Sequence, residues 1–147
     1  PVPSSAASDV YKRQINRYAI PIMIYSSDEK YTGLNTELSQ QIDIYPTILN
    51  MVGYDKPFRS WGRSLIDSSL TSTTPFVMNY NGQNYQFSKG NLICIFDGVR
   101  AIGFYDIDDL GLEINLISKR TKEMDDIELS CKAFLKDYFD RIIDRKL

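Results

Sequence analysis

The sequence predicts an α+β protein. Three observations carry that expectation: an almost wholly apolar run at 19–25 followed by a helical pattern at 41–53, a change to period two after Pro75, and a long amphipathic pattern at the C-terminal end. At 147 residues, 43% of them hydrophobic, the chain is long enough for one domain with a real core and too short for two ordinary ones.

Residues 1–14 have no apolar period and no cap, and hydrophobicity changes abruptly at Ile15. The string SSAASDVYKRQ resembles a translated adapter at the broken end of an assembled reading frame, so 1–14 are set aside from fold reasoning. The expectation is a chain cut just before its first strand. Ala19-Ile20-Pro21-Ile22-Met23-Ile24-Tyr25 reads as that strand, covered on both faces, with Pro21 near its start. A polar loop at 26–39 leads to the helix, in which Ile44, Tyr45, Ile48, Leu49 and Val52 share one face. Asp43 suits the N-cap, Pro46 the first turn, and Gly53 the residue just past the end, where φ is positive. Residues 54–70 read as a loop that packs back through Leu65 and Ile66, with a boundary in the small-polar stretch 68–74. The expected organisation is therefore 15–70, then 71–147.

In the second part, Phe76–Tyr80 and Gln83–Phe87 flank Asn81-Gly82, and Asn91–Phe96 and Val99–Tyr105 flank Asp97-Gly98. Both dipeptides signal type I′ hairpins, with a further turn at Ser88-Lys89-Gly90, giving a four-stranded antiparallel meander. A final helix is expected from about Glu123 to Arg145, with Ile127, Cys131, Phe134, Leu135, Tyr138 and Ile142 as its apolar stripe. Glu123, Asp125, Asp126 and Glu128 at its start, and Arg141, Arg145 and Lys146 at its end, complement the helix dipole.

Candidate chemistry is sparse. Histidine is absent, which removes the commonest general base and metal ligand together. A net charge of -2 with no basic run gives no nucleic-acid footprint, and no stretch approaches the ~20 apolar residues of a membrane span. Cys94 and Cys131 lie on apolar faces and read as buried thiols. Asp106, Asp108, Asp109 and Glu113 lack the order of a calcium loop and read as a solvated turn. Trp61, near Lys56, Arg59 and Arg63, reads as a loop anchor before an anion or sugar contact. Tyr80, Tyr85 and Phe87 read as cross-strand packing before a ligand platform. No residue is assigned as catalytic, cofactor-binding or metal-binding.

Three stretches resemble a known family. Residues 17–26 (RYAIPIMIYS), 39–49 (SQQIDIYPTIL) and 62–66 (GRSLI) are similar to the closing half of a sulfatase-type domain, with the pattern IPxxIYSP, SQxDxxPTLL, GxSL. The nearest match is the lipoteichoic acid synthase-like branch, including phosphoglycerol transferases, of the alkaline phosphatase superfamily. Residues 104–116 resemble the LYDLxxDPxExxNL ending common in sulfatases, with Leu110 where that pattern has Pro. The resemblance implies an alkaline-phosphatase-like α/β parent that acts on sulfate or phosphate esters. It implies a Thr, Ser or modified Cys nucleophile and one or more divalent metals (Mn, Mg, Zn or Ca) held by Asp, Glu and His. In the family all these groups precede the IPIMIY strand, so none is carried onto a position here. It further implies a membrane-anchored parent facing outward, with the missing N-terminal part of the same domain as this segment's partner. The expected alternative is a non-catalytic α+β binding or accessory module.

Overall fold

A computed structural model describes residues 18–27, 31–67 and 74–143. The adapter-like stretch 1–14, most of the expected boundary at 68–74, and Arg145 and Lys146 lie outside the described residues. The chain divides into two compact units, Pro21–Val77 and Pro1–Ile20 with Met78–Leu147.

In the first unit a turn of 3-10 helix, Gln41–Asp43, runs into helix α1, Ile44–Met51. Its C-terminal end follows from glycine. Gly53 takes φ +69, which lets the Tyr54 N–H reach the Leu49 carbonyl and the Gly53 N–H reach that of Asn50. Two expectations fail here. The run 19–25 forms no strand: it is irregular, and Ile20, Ile22, Met23 and Tyr25 are exposed, Met23 at 94%. An extended apolar segment becomes a strand only when another chain segment accepts its ladder bonds, and among the described residues none pairs with it. The apolar face of α1 is also outward: Ile44, Tyr45, Ile48 and Val52 are exposed, while Pro46 and Thr47 are buried. Hydrogen bonding around Asp43, described below, decides which side of this short helix is covered.

The second unit carries the meander. Strands β1 (Phe76–Tyr80), β2 (Tyr85–Lys89), β3 (Leu92–Phe96) and β4 (Ala101–Asp106) form one sheet in the order β1-β2-β3-β4. Register pairs Phe87 with Cys94 and Cys94 with Phe104, putting them on one face, with Leu92 and Phe96 two residues either side of Cys94. A bulge at Ile95/Phe96 leaves Ile102 as the extra residue of β4.

Both hairpin tips lie one residue further along than a type I′ reading of Asn-Gly and Asp-Gly requires. Asn81 N–H donates to the Asn84 carbonyl, and Asp97 N–H to that of Arg100, so the loops are Gly82-Gln83 and Gly98-Val99. Only the glycines take positive φ, +91 and +101, whereas type I′ needs it at both central residues. The Asn81 and Asp97 side chains explain the shift. Each places its Oδ1 on the two following N–H groups of the loop, at 2.8–3.0 Å. The third turn is Gly90-Asn91 rather than Ser88-Lys89-Gly90, because Lys89 and Leu92 are paired.

Helix α2, Lys122–Ile143, packs on the face that holds Cys94, and Lys89 Nζ reaches Ser130 Oγ at 3.1 Å. Thr121 caps it, its hydroxyl accepting the Met124 N–H. The expected stripe is buried at Ile127, Cys131 and Leu135, joined by Met124. It emerges at Tyr138 and Ile142, which are exposed.

Candidate functional site

Asp43 is a buried hydrogen-bonding centre of the first unit. It is 2% exposed, and its two carboxylate oxygens accept the N–H of Gln40 and the N–H of Arg63, each at 2.9 Å. Asp43 thus takes the N-cap position of α1, as expected, but its side chain makes no cap bond there, and Gln40 caps the 3-10 turn that precedes it. Asp43 stands three residues beyond Gln40, reaching back to it as the acidic member of a capping box does. Its carbonyl accepts the Thr47 hydroxyl at 2.6 Å, and Thr47 Oγ1 accepts the Leu65 N–H at 3.0 Å. Arg63 Nη2 is committed to Glu37 at 2.8 Å and to the Leu38 carbonyl. Residues 39–49 and 62–66 are thus knotted through one carboxylate and one hydroxyl, and the Arg63 guanidinium adds residues 37 and 38. The two backbone N–H bonds give the Asp43 carboxylate a structural task, fastening the return loop to the helix start.

The acidic turn after β4 is occupied in the same way. Asp106 Oδ1 accepts the Asp108 N–H and Asp109 Oδ2 the Ile114 N–H. N–H groups from Ile114 and Glu113 hold the Asp109 carboxyl below the ordinary carboxylate range. Asn115 closes the open side of β4: its Oδ1 accepts the N–H of Phe104 and of Ile117, and the Leu116 N–H bonds the Phe104 carbonyl at 2.7 Å. Covering this edge protects the sheet from pairing with a foreign strand. Among the described residues no three or more His, Cys, Asp or Glu side chains stand together to hold a metal.

The aromatic candidates are placed as packing. Tyr80 and Tyr85 lie across the first hairpin with ring centroids 4.8 Å apart, and Phe87 is buried. Trp61 is half-buried in the return loop. A second aromatic group stands in the first unit, where Tyr45 and Tyr54 meet Phe58 edge-on, at 5.7 Å and 6.2 Å.

Glu128 is a residue that the dipole argument misplaces. It is 6% exposed, faces the sheet, and binds Arg120, Lys132 (2.7 Å) and the Ala101 N–H. Arg120 also binds Asp125 and lies over the Phe104 ring, and Lys132 lies over Phe96. The signal was present in spacing: Glu128 is four residues from Met124 and one from Ile127, inside the apolar stripe, with Lys132 at i+4.

Cys94 and Cys131 are free thiols with no exposed surface. Burial pushes each up to about 12, so both stay protonated at neutral pH. Folded protein should therefore leave a thiol-exchange reagent unconsumed until denaturant is added, after which both thiols titrate. Rapid reaction in the folded state would show that the face between α2 and β3 is open.

Comparison with protein-family models, with curated proteins and with solved structures finds no match to this chain.

Proposed function

We propose that residues 15–147 are the closing segment of a metal-dependent enzyme of the sulfatase or phosphoglycerol-transferase type, acting on sulfate or phosphate esters and inactive without its N-terminal part. The observation that carries this reading is where the resemblance falls. Gln40, Asp43, Thr47, Gly62, Arg63 and Leu65, from two separate motif stretches, are the residues that lock to one another. Asp106, Asp109, Asn115 and Leu116 of the third stretch fasten the turn that covers β4. Residues with such backbone duties are ones a family pattern would retain at fixed spacing. On this reading the nucleophile and the divalent-metal ligands precede Ile15, in an enzyme whose catalytic domain faces outside the membrane. The exposed apolar side chains of 20–25 and of α1 then belong against that domain.

The alternative, a non-catalytic binding or accessory module, draws support from the core between β2–β4 and α2, in which Cys94, Phe104 and Cys131 have no exposed surface. Recovery of the native coding sequence upstream of Ile15 decides between them. An Asp-His pair shortly before the strand-like run, with a Thr, Ser or Cys nucleophile further back, is the expected result. The extended protein should hydrolyse nitrophenyl sulfate or phosphate in the presence of manganese, and residues 15–147 alone should neither do so nor bind manganese in calorimetry. An unrelated upstream domain, or tight metal binding by this segment alone, would refute the enzyme reading.

A further inference from the structure

We propose that Asn81 is a site of spontaneous covalent modification, at which the Asn81-Gly82 linkage closes to a succinimide and reopens as aspartate or isoaspartate. In that reaction a solvent base removes the Gly82 amide proton, and the nitrogen forms a bond to Asn81 Cγ. Negative charge collects on Oδ1. The Cγ–Nδ2 bond then breaks, and Nδ2 takes a proton from water and leaves as ammonia. Water adds to either ring carbonyl, giving aspartate or a backbone that runs through the former side chain.

The hairpin tip supplies what this step needs. Asn81 Oδ1 accepts the Gln83 N–H at 3.0 Å and the Asn84 N–H at 2.8 Å. Two backbone donors thus point at the oxygen on which charge develops, the arrangement that stabilises an oxyanion. Gly82, at φ +91, carries no Cβ beside its attacking nitrogen, which removes the steric hindrance that any other residue would bring to ring closure. Every other asparagine of the chain is followed by a residue with a side chain.

The second hairpin is an internal control. Asp97 Oδ1 accepts the N–H of Val99 and of Arg100, both at 2.8 Å, and Gly98, at φ +101, likewise carries no Cβ. Its leaving group, however, would be the oxygen of a protonated carboxyl. The N–H groups of Arg100 and Val99 hold that carboxyl below its ordinary range, which favours the ionised form that resists closure. Same geometry, different leaving group: Asn81 reacts faster than Asp97 in neutral and alkaline buffer. Isoaspartate at 81 adds one carbon to the backbone inside the turn, separating Asn81 N–H from the Asn84 carbonyl and loosening the β1–β2 connection.

The test is peptide mapping of the full chain, folded and in urea, after incubation in mildly alkaline and mildly acidic buffer. A gain of one mass unit should appear first in the peptide carrying Asn81, faster in alkali. The folded rate should lie within about tenfold of the unfolded rate. Asp97→Asn should acquire a second reactive site at the other tip, and Asn81→Ser should lose the first. Protection of folded Asn81 by much more than tenfold, earlier reaction at another asparagine, or an inert Asp97→Asn tip would each overturn the proposal.

Discussion

Gly62→Ala is expected to destabilise the first unit by about 3 kcal/mol, the upper end of what overpacking costs. A Cβ built on Gly62 falls 2.1 Å from the Ile42 carbonyl oxygen, 2.4 Å from its carbon and 2.8 Å from the Asp43 nitrogen. All three are backbone atoms, so no side chain can rotate aside. Relief requires the 62–66 segment to retreat from the helix start. That movement breaks the Arg63 N–H bond to Asp43 and the Leu65 N–H bond to Thr47 together. The loss is compounded because Asp43 is buried, and a buried carboxylate stripped of one donor carries its desolvation cost uncompensated. Trp61, the only tryptophan of the chain, is adjacent and reports the change by fluorescence in a urea titration. A midpoint indistinguishable from that of the unsubstituted chain would show that this close approach does not hold the loop.

Sequence pattern reached the second unit better than the first, for a physical reason. Period-two alternation and the glycines at 82 and 98 report on neighbours that are close in sequence, so the meander and its order were legible. The turn registers were not, because Asn81 and Asp97 act as side-chain acceptors as well as turn residues. In the first unit the relevant contacts span 18 to 20 residues, from Thr47 to Leu65 and from Asp43 to Arg63. Periodicity cannot see them. It assigns Ile44, Ile48 and Val52 to a buried face, whereas the segment bonded at Asp43 and Thr47 covers the other side of α1.

The polar residues show the same limit. Asp43 was readable as part of a helix start, but not as an acceptor for a distant N–H. Glu128 was readable as acidic residue of a first turn, which accounts for an exposed Glu and not for one at 6% exposure. Asn115 gave no signal from propensity. Its place in a resembling motif was the only indication that the turn at 106–116 has a fixed construction.

Glu128→Gln is expected to cost about 2 kcal/mol near neutral pH, below the 3–5 typical when one partner of a fully buried ion pair is lost, because both its cations reach solvent. Arg120 and Lys132 are 38% and 46% exposed. Burial alone would raise the carboxyl. Hydrogen bonds from Lys132, Arg120 and the Ala101 N–H outweigh it and hold Glu128 below its ordinary value of 4.5. The sign follows from that direction. The folded state favours ionised Glu128 more than the unfolded chain does, so its contribution is fully present above the unfolded value and disappears as pH falls through the lower folded one. The stability gap between the unsubstituted chain and Glu128→Gln should be constant from neutrality to about pH 5.5 and narrow below about pH 4.5. Urea midpoints across that range measure it. A gap that persists undiminished in strong acid would mean that the protonated carboxyl of Glu128 supports the fold as well as the ionised one does. The ionic link from Glu128 to Arg120 and Lys132 would then play no part.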